Sequence, residues 1–105
     1  MKILHLTLKK QWFDLIASGS KTIEYREFKN YWVSRLMTSD GRLRNDFDEV
    51  HFRNGYSKGS PFMRVEFSAI RVVQTRHHPA MNGEPLTDSH YFAIYLGSVL
   101  NEKAA

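Results

Sequence analysis

Ser18-Gly19-Ser20-Lys21-Thr22-Ile23-Glu24-Tyr25-Arg26-Glu27 decides how this chain is read. Upstream, residues 9–18 have helical spacing. Leu8, Trp12, Leu15 and Ile16 fall on one stripe, with Lys9, Lys10, Gln11 and Asp14 largely outside it. Gly19 stands where a glycine closes a helix, because it adopts the left-handed conformation without a Cβ clash. Downstream, residues 21–28 carry Thr22, Ile23, Tyr25 and Phe28, residue types that suit a pleated strand. A period of two puts Thr22, Glu24 and Arg26 on one face and Ile23 and Tyr25 on the other. The stretch is therefore a helix-to-strand junction, and it is the densest polar cluster in the chain.

The same reading extends outward. Residues 2–8 alternate, with Leu4, Leu6 and Leu8 opposite Ile3 and His5, and predict a first strand. Residues 29–37 predict a short helix carrying Tyr31, Trp32 and Leu36, followed by turn chemistry at Thr38-Ser39-Asp40-Gly41. Residues 47–53 read as a strand ending at the turn signal Asn54-Gly55. Residues 62–75 form the longest β-like run, with a bend partway. Residues 77–89 are loop-like, with Pro79, Asn82-Gly83 and Pro85, and residues 91–99 make a last strand. Residues 101–105 read as a frayed tail. About five strands and one or two short helices predict an α+β fold. The economical form is a small, mostly antiparallel sheet closing into a barrel, plugged or flanked by the first helix.

Composition narrows the class. The chain has 105 residues, the size of a single domain, so residues 1–105 are read as one. Hydrophobic residues at 42% are enough for a core and exclude a disordered chain. Fifteen Lys and Arg against eleven Asp and Glu leave a net charge of +4, a modest bias toward anionic or nucleotide-like partners. The absence of cysteine removes disulfides, thiol catalysis and Cys-ligated zinc. No apolar run approaches the ~20 residues of a membrane span. Met1-Lys2-Ile3-Leu4-His5 lacks a signal-peptide core, so a soluble cytoplasmic protein without membrane partners is expected.

Chemistry concentrates at the junction. Lys21, Glu24 and Arg26 follow a turning glycine within one short stretch. Glu24 and Arg26 share a strand face, and the long stem of Lys21 can reach either side. A lysine beside a carboxylate in a partly dry pocket is an acid–base pair. The competing reading is a surface ion pair, worth only ~0–1 kcal/mol.

Gly19, Lys21, Glu24 and Arg26 spell Gly-x-Lys-x-x-Glu-x-Arg. This resembles the signature of the ASCH domain, a small β-barrel family related in fold to the PUA RNA-binding domain. The likeness extends over most of residues 1–100, through the first strand, the Trp12-Phe13 helix, the motif strand and the closing run Tyr91-Phe92-Ala93-Ile94-Tyr95-Leu96. It implies a cleft that accepts a nucleobase, a nucleoside or an RNA segment. Some members bind RNA and some are ribonucleases. One small subgroup removes the acyl group from N4-acetylcytidine and related N4-acylated cytosines. That subgroup uses a lysine at the position of Lys21, a threonine three residues on and a downstream glutamate. Here Glu24 stands at the threonine position, Thr22 is nearby, and Glu84 is a loose counterpart of the glutamate.

Amide hydrolysis needs a nucleophile, a proton for the leaving amine and donors for the oxyanion. Glu24 is expected to activate a water, with Lys21 polarising the acyl carbonyl or protonating the leaving nitrogen and Thr22 as the fallback nucleophile. Arg26 positions substrate or holds Glu24. Tyr25, Tyr31, Trp32 and Tyr56 are candidate base-stacking platforms, at ~1–3 kcal/mol per base, with core packing as the competing role. Trp12 lies on the helix stripe and is read as core. Asn54, in the polar loop 53–60, could read a base edge, or could simply serve its turn. His5, His51, His77, His78 and His90 show no metal-ligand spacing, so neither metal nor cofactor is expected. Arg71 and Arg76, with Lys9, Lys10, Arg42 and Arg44, read as scattered surface charge. The expected partner is a modified nucleoside, with single-stranded RNA as the alternative.

Overall fold

The computed structural model describes residues 1–74 and 89–103. Among these, the elements are β1 (Ile3–Thr7), α1 (Lys10–Ala17), β2 (Ile23–Glu27), α2 (Asn30–Leu36), β3 (Glu49–Arg53), β4 (Phe62–Gln74) and β5 (His90–Lys103). The strands hydrogen-bond in the order β1-β3-β4-β5-β2. β3 pairs antiparallel with β4, and β2 antiparallel with β5, but β1 runs parallel to β3, with Ile3 opposite Glu49 and Thr7 opposite Arg53. The α+β class stands, and the expectation of a mostly antiparallel sheet is corrected to a mixed one. A parallel pair needs a long crossover, and the chain between Thr7 and Glu49 supplies one holding α1, β2 and α2. No helix among the described residues is long and apolar enough to cross a membrane.

The chain divides into two compact units. Residues 1–22, 46–67 and those from 96 on form one, and residues 23–45 with the described part of 68–95 form the other. β4 and β5 contribute residues to each.

In the first unit the buried apolar side chains are Leu4, Leu6 and Leu8, Phe13 and Ile16 of α1, Val50 and Phe52 of β3, and Met63 and Val65 of β4. Burying each of the larger ones contributes roughly 1.5–3 kcal/mol. The inward stripe of α1 lies one position round from the one read in sequence. Phe13 and Ile16 are buried, and Trp12 and Leu15 are half-buried at its flank. Gly97 of β5 faces β4, where an added Cβ would stand 2.9 Å from Glu66 Cβ. Glu66 cannot swing aside cheaply, because the contact is at its root and its Oε1 accepts the Ser98 N–H at 3.0 Å. Gly97→Ala gains ~0.4–1 kcal/mol by restricting the unfolded chain, whereas overpacking costs about 1–3 kcal/mol. The expected net is a loss of about 1 kcal/mol in chemical denaturation, and a gain would show that the strands have room to part.

In the second unit Tyr25, Val73, Tyr91 and Ala93 form a buried cluster with Ile23 and Tyr95 packed against it. Phe92 and Ile94 are buried as well, and Phe28 stacks on Phe92 at 4.9 Å. This unbroken burial fits a strand with a neighbour on each edge and both faces covered. Along β4 the alternation of buried positions slips at Ile70. There the Asn45 side chain takes the place of a neighbouring strand. Its Oδ1 accepts the Ile70 N–H at 2.8 Å, and its Nδ2 donates to the Ile70 carbonyl at 3.4 Å. A break in the ladder therefore leaves neither peptide group unsatisfied.

Candidate active site

Lys21 is set by how α1 ends. Gly19 adopts φ 83°, and its N–H donates to the Ile16 carbonyl at 3.0 Å. The Lys21 N–H closes the same turn on the Leu15 carbonyl at 3.0 Å. Two orphan carbonyls of the helix are thereby satisfied, and the backbone of Lys21 is pinned to α1. Its side chain is only 1% exposed, with Nζ 5.6 Å from the centre of the Trp12 ring. That distance is within the range of a cation–π contact. The half-buried position of Trp12 thus serves both the helix flank and the lysine.

Glu24 and Arg26 meet as the period of two requires. Glu24 is 4% exposed, and Arg26 donates to its Oε2 from Nη2 at 2.6 Å and from Nε at 3.1 Å. The Arg26 guanidinium lies 4.9 Å from the centre of the Trp32 ring, carried on α2. Trp32 in turn meets Tyr31 edge-on at 4.9 Å. The sequence-predicted ion pair is present, but it is largely withdrawn from water rather than a solvated surface pair. That changes its energetics from near-neutral to costly unless well paired.

The remaining sequence-predicted residues divide. Thr22 is exposed, and its carbonyl accepts the Leu96 N–H at 2.9 Å. Tyr25 lies in the buried cluster of the second unit, so its ring packs rather than offering a stacking face. Tyr31 is 57% exposed with the Arg35 guanidinium 3.6 Å over its ring, and Tyr56 is 93% exposed. Asn54 opens the loop that joins Arg53 to its strand partner Phe62. Its Nδ2 donates to the Leu8 carbonyl at 3.0 Å, satisfying the chain where it leaves β1. Glu84 and the loop histidines His77 and His78 lie outside the described residues.

Sequence reading missed a second charged cluster. On β3, Glu49 is buried and accepts Arg64 Nε at 2.9 Å and Nη2 at 2.8 Å. Its Oε1 also lies 2.9 Å from His51 Nε2. Spacing of two along β3 (Glu49, His51, Arg53) was the available signal, but the Arg64 partner comes from another strand. The Arg64 hydrogen bond first, and then that of His51, hold the Glu49 carboxyl at about 2, against an ordinary 4.5. A carboxyl lowered on folding adds stability above its ordinary value and loses it as the pH falls from about 4.5 toward about 2. The wild-type melting temperature is therefore expected to drop more steeply through that window than that of Glu49→Gln. Parallel melting profiles by circular dichroism would refute this.

No family model, curated protein or solved structure matches this chain.

Proposed function

We propose that the chain is an ASCH-type domain of PUA-like fold that acts as an amidohydrolase. Its substrates are N4-acylated cytosine nucleosides such as N4-acetylcytidine, and its acid–base residues are Lys21 and Glu24, without a metal. The observation that carries this reading is the burial of Lys21 and Glu24, three positions apart in the Gly-x-Lys-x-x-Glu-x-Arg motif. Withdrawing an ion from water costs several kcal/mol, and charged groups held so are concentrated at functional sites. The element order β1, α1, β2 around the motif supports the same reading.

In this reaction Glu24 takes a proton from water as the water oxygen attacks the acyl carbon. Lys21 donates to the developing oxyanion and supplies the proton that N4 takes as the C–N bond breaks. The ring of cytosine withdraws charge from N4, so the leaving amine is a good one. Arg26 holds the Glu24 carboxylate in place through its paired N–H groups. The products are the nucleoside and a carboxylate.

A second reading, an RNA-binding module or ribonuclease, draws on the exposed rings of Tyr56 and Tyr31 and the net charge of +4. One experiment separates the two. The purified chain is incubated with a panel of N4-acylcytidines and, in parallel, with single-stranded RNA. Deacylation changes the cytosine chromophore and is read by absorbance. Intact nucleosides together with salt-dependent RNA retention or cleavage would replace the first reading by the second.

A further inference from the structure

His5 and Thr7 of β1, His51 and Arg53 of β3, and Phe62 of β4, with Leu6, line a cavity of about 280 Å³. It lies wholly within the first unit. The parallel register sets His5 opposite His51 and Thr7 opposite Arg53, so the polar side chains come in two matched rows. His51 stands edge-on to His5 at 5.5 Å and to Phe62 at 5.2 Å, and the Arg53 guanidinium lies 4.8 Å over the Phe62 ring.

The electrostatics of this lining have one sign. Its residues include an arginine and two imidazoles and no carboxylate. The nearby acid, Glu49, is engaged by Arg64 and by His51 Nε2. That contact leaves Nδ1 as the nitrogen through which His51 can meet a ligand. Arg53 is fixed in its fork orientation by the ring beneath it, which reduces the entropy lost when it binds an oxyanion. The volume is at the small end of ligand sites, which start at roughly 300 Å³.

We propose that this cavity binds a phosphate group carried as a monoester or diester, with Arg53, His51 and the Thr7 hydroxyl as donors and His5 at the rim. Its lining shares no residue with the Lys21 and Glu24 pair, and the proposal does not rest on their chemistry. The ionisable side chains of its lining are His5, His51 and Arg53.

The test is a titration of the full chain with inorganic phosphate, cytidine 5′-monophosphate and cytidine, following the imidazole Cε1–H resonances at low ionic strength. Phosphate and the nucleotide are expected to shift the His5 and His51 signals, and cytidine to leave them in place. Arg53→Gln should weaken nucleotide binding by at least about tenfold, as for a lost charged hydrogen bond. His51→Gln provides a second variant if Arg53→Gln fails to fold. Lys21→Met should bind the nucleotide as wild type does, so failure of the hydrolase reading and failure of this one are distinguishable. Equal shifts by cytidine and the nucleotide would overturn the proposal, as would silent imidazoles or unchanged affinity in both variants.

Discussion

Lys21→Met is expected to abolish deacylation of N4-acetylcytidine, by about 10²-fold or more, while leaving the chain folded. The size of the effect follows from the role assigned to the ammonium, since positioned proton transfer contributes about 10²–10⁴-fold. Retention of the fold follows from the burial. Lys21 is among the largest fully buried side chains, so alanine would leave a cavity, whereas methionine keeps most of the volume. Methionine gives up the cation–π contact with Trp12, so a modest fall in melting temperature is expected. The backbone hydrogen bond from Lys21 to Leu15 does not involve the side chain and is unaffected. Initial rates by absorbance and thermal melts by circular dichroism check both halves. An unchanged rate in the folded variant would remove Lys21 from the chemistry.

The second large effect is on stability. Glu24→Ala removes the carboxylate that accepts from Arg26 Nη2 at 2.6 Å, in a place where the Arg26 side chain is only 16% exposed. Breaking a buried pair from one side costs about 3–5 kcal/mol, and the partial exposure of Arg26 puts the expectation near 3 kcal/mol. The double variant Glu24→Met/Arg26→Met should recover most of that loss, because the Arg26 charge is removed together with its carboxylate partner. Urea denaturation of Glu24→Met, Arg26→Met and the double variant gives the coupling directly. Equal destabilisation of Glu24→Ala and the double variant would show that Glu24 is held by packing instead of by its ion pair. Neither variant should deacylate N4-acetylcytidine, which separates the catalytic role of Glu24 from its structural one.

Parts of this arrangement were legible along the chain. Residues 9–18 predict α1 to within a residue at each end, and the glycine at 19 marks where it stops. The period of two puts Glu24 and Arg26 on a shared face, and they meet there. Other parts were not. Trp12 and Phe13 are adjacent aromatics, and which of them turns inward depends on what packs over the helix. Asn54-Gly55 reads as a turn signal in a polar loop, yet the Asn54 side chain is committed to the Leu8 carbonyl, a partner far away in sequence. The histidines at 5 and 51 show no spacing that relates them, because the relation is a register between two parallel strands.

Local residue order is enough to set the helices, the strands, the closing glycine of α1 and the polar face of β2. These follow from backbone geometry and sterics within a few residues, which act wherever the segment ends up. That β1 runs parallel to β3, that Lys21 and Glu24 leave water, and that His5, His51 and Arg53 line a cavity are settled by long-range packing. Strand direction, burial and convergence each depend on partners brought from distant parts of the chain, and no local periodicity encodes which partner arrives.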